Sequence, residues 1–341
     1  MLLQIPDEMK NTKVILANRP KREIEDSNFD VIIEELNEIK DGEILIKIHD
    51  ISLDPAIRGW MNEGTTYIKG IEIGAVVRTF SAGQVIQSKN SKFKEGSYLS
   101  GLLGAQNYCI SNGEGLTPLD ISNSKISHHL GILGMPGMTA YFGLLKRGEP
   151  VSGDIVYISG AAGIVGSTVG QIAKIKGCTV IGSAGSDAKC KFLIEECGFD
   201  YAINYKTEDI DQQLKKFAPN GIHIFFDNVG GPTLDIALLN LARGARVVIC
   251  GAISQYNDMA NIHGPKNYMK IVSARGKMNG IIVFDYVEQW PAAVKEIAEW
   301  INDGKIKVKE HTIFGLENFS SALKMLYTGE NFGKLILNIG S

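Results

Sequence analysis

The stretch Ile158–Gly177, ISGAAGIVGSTVGQIAKIKG, decides the fold. The run DIVYIS before its first glycine reads as a buried strand, the glycine turn follows, and the turn opens a helix that stops at Gly177. In the dinucleotide-binding frame the key positions are Ala161, Gly163 and Gly166, so the first glycine of G-x-G-x-x-G is alanine. Gly163 lets the backbone approach a pyrophosphate, and Gly166 lets the helix pack closely on the strand. The helix N-terminus offers N–H groups and the positive end of its dipole to phosphates. A glycine-rich turn in an empty α/β domain would share these letters. The strand before it, the helix after it and the strand beyond favour a nucleotide.

Downstream, strand and helix alternate. TVIGSAGS, YAINY, IHIFFDNVGG and ARVVICGAIS read as strands, while DAKCKFLIEECG, DIDQQLKKFA and TLDIALLNLA read as helices. That order predicts a parallel sheet built from βαβ units. Upstream, HHLGILGMPGMTAYFGLL is a glycine-punctuated helix candidate, and the first ~120 residues read as mostly β, with VILAN, EILIKIHDISL and GAVVRTF as strands. Near the end, AVKEIAEWINDGKIK and FSSALKMLYTGE read as helices and GKLILNI as a last strand, elements that could return to the first domain.

The 341 residues exceed one ordinary core, so two domains are expected. Thirty-five basic against 38 acidic residues, net −3, leaves no electrostatic footprint for nucleic acid. No apolar run reaches the ~18 residues of a membrane span. MLLQIPDEMKNTK does not read as a secretory signal, so a cytoplasmic protein is expected. Cys109, Cys178, Cys190, Cys197 and Cys250 form no CxxC pair, and the histidines are scattered apart from His128-His129. Neither a disulfide framework nor zinc-ligand spacing is present.

The second strand bears on the choice of nicotinamide cofactor. An NAD site places an acid ~20 residues on to hold the ribose hydroxyls. Ser183 stands there, within GSAGS, and Lys189 follows, with Lys191 an equal candidate by charge alone. A missing carboxylate beside a cation suits the 2′-phosphate of NADP. FDNVGG and CGAIS end the next strands, where ligands of open α/β sheets bind. Asn228 could hydrogen-bond the cofactor and Gly251 permits close approach; both could equally be ordinary strand-to-helix turns. Tyr256, Tyr67 and Tyr205 are the candidate proton donors, although a buried tyrosine more often only satisfies its hydroxyl. No G-x-S-x-G elbow suggests a hydrolase.

SLDPAIRGWM, GMPGMTAYFGLL, SGAAGIVGSTVGQIAKIKGC, GSDAKCKFL, FDNVGG, CGAISQYN, FDY and NFGKL, taken in order, resemble the zinc-independent medium-chain dehydrogenases/reductases. Within them the chain is similar to the subgroup of leukotriene B4 12-hydroxydehydrogenase/prostaglandin reductase, plant 2-alkenal reductases and bacterial curcumin reductases. The resemblance spans about Ile51 to Leu337. It implies an α/β protein in which a GroES-like, mainly-β catalytic domain, residues 1–125 and 295–341, flanks a Rossmann NADP-binding domain, residues 126–294, in a doubly wound parallel sheet.

It also implies NADPH, a small α,β-unsaturated ketone or aldehyde as substrate, and a homodimer. By motif position, Gly163, Ile164, Val165 and Gly166 would take the pyrophosphate, and Lys189 with Tyr205 the 2′-phosphate. Asn228, the segment Cys250, Gly251, Ala252, Ile253, Ser254 and Tyr256, the backbone of Ile281, Ile282 and Val283, and Asn331 would support the rest. Tyr256 would lie near the nicotinamide. A tyrosine in the region of Tyr67 helps with the substrate oxygen or proton in some relatives, although TTYIKGIEIGAVV departs from the family pattern. The Cys and GHE pattern of the zinc-containing branch is lacking. The expected reaction is hydride delivery to the β-carbon, with the developing enolate held by hydrogen-bond donors. Quinone reduction and a non-catalytic NADPH-binding sensor are the competing readings.

Overall fold

The computed structural model describes residues 9–64, 67–122, 124–262 and 264–340. The chain packs as two compact units: Met1–Leu130, Glu310–Asn331 and Leu335–Ser341 form one, Gly131–Lys309 and Phe332–Lys334 the other.

The first unit is mainly β. Lys10–Leu16 and Phe29–Glu35 pair antiparallel. The larger sheet runs Glu310–Phe314, Lys334–Asn338, Ile44–Ser52, Ser81–Ser88, Tyr98–Gly101, Thr117–Leu119, with Tyr108–Ser111 also on Ile44–Ser52. Ile46 and Ile48 are buried while Lys47 and His49 are only partly so, a two-residue period over the middle of the strand, and at its ends both faces are covered, with Ile44, Leu45, Asp50 and Ile51 buried. The core gathers these with Leu53, Trp60, Phe319 and Leu323. GAVVRTF does not become a strand. Only Val76 makes a bridge, to Ile15, because its backbone partners are divided among segments: Val77 N–H goes to Val14, while Val77 C=O receives Ala105 and Phe80 C=O receives Ser52.

The second unit holds a six-stranded, all-parallel sheet in the order Tyr201–Asn204, Thr179–Ala184, Ile155–Ile158, Ile222–Asp227, Leu241–Ile249, Lys277–Gly280. Numbered along the chain this is 3-2-1-4-5-6, the doubly wound Rossmann order. Helices cover both faces, so the strands read as unbroken apolar runs. Tyr157, Ile181, Ile203, Leu214, Phe225 and Val247 pack on one face, and Ile158, Val169, Ile172, Phe192, Phe226 and Val248 on the other.

Helix Trp290–Asn302 overlaps the segment expected to return to the first domain at 295, yet it packs in the second unit. Its Ala293, Ile297 and Trp300 are buried among Ile172, Val180 and Ile306, and the chain reaches the first unit only at Glu310. The long helix candidate at 128–145 is divided: a 3-10 turn Ile126–Leu130, an α-helix Met135–Phe142 and a π-turn Gly143–Gly148. Among the described residues no helix is long and apolar enough to cross a membrane.

Candidate functional site

Strands Ile155–Ile158 and Ile222–Asp227 are neighbours, and the connections leave them toward opposite sides. Their carboxyl ends mark the crevice where an open α/β sheet binds ligands. Three turns meet there within the second unit.

The first runs from Ser159 to the helix Ile164–Ile175. Gly163 is the N-cap, in extended backbone, and no side chain caps the helix. The first-turn amides of such a helix have no intrahelical acceptor. A Cβ at Gly166 would lie 2.6 Å from Ala161 Cα, so this glycine is required by the chain itself. A Cβ at Gly163 would meet nothing closer than Gly160 O at 3.5 Å. The protein leaves space at Gly163, beside a helix start that no side chain caps, and the positive end of a helix suits a pyrophosphate. Gly333 joins this turn, donating its N–H to Ala162 O at 3.2 Å, and Phe332 stands edge-on to Phe192. Asn331, the preceding residue, is counted with the first unit.

The second turn follows Ile222–Asp227. Asp227 is fully buried, and its Oδ1 accepts from Ser159 Oγ (2.8 Å), Val229 N (3.0 Å) and Gly230 N (2.9 Å). Its backbone oxygen accepts from Cys250 N at 2.9 Å and Gly251 N at 3.1 Å. Oδ2 is buried with no hydrogen-bond partner. Burial pushes this carboxyl's pKa up, against the three hydrogen bonds that lower it. Asn228 Nδ2 donates to Ser159 O at 2.8 Å, so Asn228 helps to fasten the first turn to the second.

The third turn is Cys250–Tyr256. Ile253 and Ser254 donate backbone N–H to Asn228 O and Val229 O, both at 3.2 Å. The Tyr256 hydroxyl accepts from Ala252 N at 3.2 Å, and a Cβ at Gly251 would fall 2.9 Å from it. Burial, then Asp227, pushes the Cys250 thiol up to about 12, so it stays protonated at neutral pH. Ile281 N–H continues the sheet pattern to Ile249 O; Ile281 and Val283 are buried and Ile282 is exposed.

At the tip of strand Thr179–Ala184, Ser183 is buried with its hydroxyl 3.0 Å from Tyr157. Ser186 caps the next helix, accepting from Lys189 N at 3.3 Å. Lys189 is half-buried; burial and then the charge of Lys206 lower its pKa. The alternative cation, Lys191, lies on the exposed face of its helix, 3.8 Å from Glu195. Tyr205 is exposed, with its hydroxyl 2.7 Å from where a Gly185 Cβ would be. A helix start that no side chain caps at one turn, and a half-buried lysine on the helix that follows an uncharged strand end, fit a doubly phosphorylated nucleotide. Tyr67 belongs to the first unit, half exposed, and its hydroxyl accepts from Trp60 Nε1 at 3.0 Å.

Sequence reasoning passed over Asp227, Ser159, Asn204 and Lys206. Asp227 carried a signal, a lone acid closing an apolar strand run in IHIFFD; Ser159 and Asn204 take their main roles from Asp227 and Asp187, 68 and 17 residues away, and Lys206 from its place beside Asn204.

Residues 12–119 match a family described as the N-terminal domain of oxidoreductase, and 165–299 one described as zinc-binding dehydrogenase. Among the described residues no group of three or more His, Cys, Asp or Glu could hold a metal ion. The chain is 35% identical over 335 residues to the NADPH-dependent curcumin reductase of Escherichia coli (strain K12), covering 97% of each. It is 35% identical over 340 residues to the 2-alkenal reductase (NADP(+)-dependent) of Nicotiana tabacum, covering 98% of each. The crystal structure of CurA from Vibrio vulnificus in complex with NADPH matches with a TM-score of 0.92 at 38% identity, over 97% of this chain and 99% of that one. Similarity of this extent, over both units, means that the chain belongs to the zinc-independent medium-chain dehydrogenases/reductases.

Proposed function

We propose that this chain is an NADP-dependent oxidoreductase that reduces the carbon–carbon double bond of α,β-unsaturated ketones and aldehydes. The observation that carries the reading is the neutral strand tip at Ser183 beside Lys189, on a chain 35% identical over nearly its whole length to a curcumin reductase. The helix start formed by Gly163, Ile164, Val165 and Gly166 would hold the pyrophosphate. Lys189 and Tyr205 would hold the adenosine 2′-phosphate. Asn228, Cys250–Tyr256, Ile281–Val283 and Asn331 would frame the remainder. When bound, NADPH supplies the hydride taken up at the β-carbon of the enone.

Reduction at that carbon places negative charge on the carbonyl oxygen, so the protein must present a donor to it. One such donor is typically worth roughly 3–4 kcal/mol. Tyr256 is the residue proposed. Its oxygen accepts from Ala252 N, and an O–H that accepts a hydrogen bond becomes a stronger donor. Tyr67 is the second candidate for the oxygen or for the proton that reaches the α-carbon. The state proposed is a cytoplasmic homodimer, the commonest soluble assembly, to be checked by sedimentation.

The test is NADPH oxidation with 3-nonen-2-one and with a naphthoquinone, with product analysis. Saturated ketone formed from the enone is the expected result. Tight NADPH binding without turnover of any enone, or turnover of the quinone alone, would overturn the reading. Tyr256→Phe should lower kcat about 100-fold; full turnover on every enone tested would remove Tyr256 from its role.

A further inference from the structure

We propose that Lys206 is a second cation for the 2′-phosphate, and that Asn204 is the positioning residue that keeps two carboxylates away from it. The inference rests on the NADPH reading and names the specificity device within that site. Strands Thr179–Ala184 and Tyr201–Asn204 end side by side, with Asn204 opposite Ala184. Tyr205 N–H donates to Ala184 O at 3.1 Å, and the Tyr205 hydroxyl packs over Gly185. The two turns that follow, one carrying Lys189 and the other Lys206, are therefore clasped together. Lys206 is exposed, and its N–H donates to Asn204 Oδ1 at 3.2 Å.

The same turns carry two carboxylates, Asp187 and Glu208. An acid at this place would hold ribose hydroxyls and repel a phosphate. Both are engaged by buried Asn204: its Nδ2 donates to Asp187 Oδ1 at 2.6 Å, and its backbone N–H to Glu208 Oε2 at 2.8 Å. One asparagine thus ties back an oxygen of each acid, which keeps its charge, and fixes the backbone of Lys206. A phosphomonoester carries about −1.5 to −2 charges at neutral pH, more than one ammonium balances. Two neighbouring lysines repel one another and are stabilised when such a group binds both; the charge of Lys206, on the turn clasped to that of Lys189, lowers the Lys189 pKa.

Calorimetry with 2′,5′-ADP and 5′-AMP, which needs no turnover, tests this. Lys206→Gln should weaken 2′,5′-ADP roughly tenfold and leave 5′-AMP unchanged. Asn204→Ala should also weaken 2′,5′-ADP selectively, and adding Asp187→Asn should recover part of the loss. Lys191→Gln should bind both ligands as the wild type does. Equal behaviour of Lys206→Gln and wild type toward 2′,5′-ADP, or a loss seen instead in Lys191→Gln, would overturn the inference. Wild-type protein that binds 5′-AMP as tightly as 2′,5′-ADP would instead overturn the NADPH reading, so the two failures are distinct.

Discussion

The turn after Ile158 keeps a space open at Gly163, whereas the turn after Asp227 is filled by its own carboxylate. Both lie at carboxyl ends of neighbouring parallel strands. In the first, a helix start that no side chain caps lies beside open space at Gly163. In the second, Asp227 gathers Ser159, Val229 and Gly230 with its side chain, and Cys250 and Gly251 with its carbonyl. An accommodating loop is thus held in place by a rigid one. The difference teaches that the residues nearest a nucleotide need not be those on which the fold depends.

The comparison can be broken most forcefully at Asp227. Asp227→Ala leaves Ser159 Oγ and the Val229 and Gly230 amides, the last of them buried, without their acceptor, and should cost about 3 kcal/mol or more in chemical denaturation. Asp227→Asn, which keeps one acceptor oxygen, should cost less. Asp227 also predicts a pH dependence. Burial raises its pKa above the ordinary 3.8, so the folded protein holds this proton more tightly than the unfolded chain. Its contribution is then fully present below that ordinary value and is lost as pH rises through the raised native pKa. The wild-type minus Asp227→Asn difference in stability should therefore grow less favourable to the wild type over that rise.

Gly166→Ala should cost about 1–3 kcal/mol, because the new carbon meets backbone that has little room to move. Tyr256→Phe should cost about 1 kcal/mol in stability, the hydrogen bond to Ala252 N, beyond its effect on kcat. Gly163→Ala sharpens the contrast from the other end. Its melting should match wild type to within about 0.5 kcal/mol, while calorimetry should show NADPH affinity falling by about tenfold or more. A destabilised Gly163→Ala with unchanged affinity would erase the distinction between the two turns.

The doubly wound unit was largely legible because its strands are buried on both faces and its helices recur between them, so periodicity and apolar runs point the same way. Boundaries were less so. Strand Leu241–Ile249 starts four residues before the ARVVICGAIS run, through Gly244 at φ +75°. The mainly-β unit was harder to read, since GAVVRTF has the composition of a strand but shares its backbone bonds among three segments far apart in sequence. At the site, Lys189 and Lys191 were equivalent as letters. The helix places the second on an exposed face with Glu195, while the first is half-buried and feels the charge of Lys206.

By itself the sequence determined the glycine turn, the βαβ alternation, the uncharged tip of the second strand and the family likeness, all of which live in contiguous residues. Only the tertiary structure decided which lysine is half-buried and which exposed, that Asn204 engages Asp187 and Glu208, and that Asp227 ties three turns together. Hydrogen bonds and charge pairs act over a few ångströms of space, and these residues become neighbours only after parallel strands have brought their ends side by side.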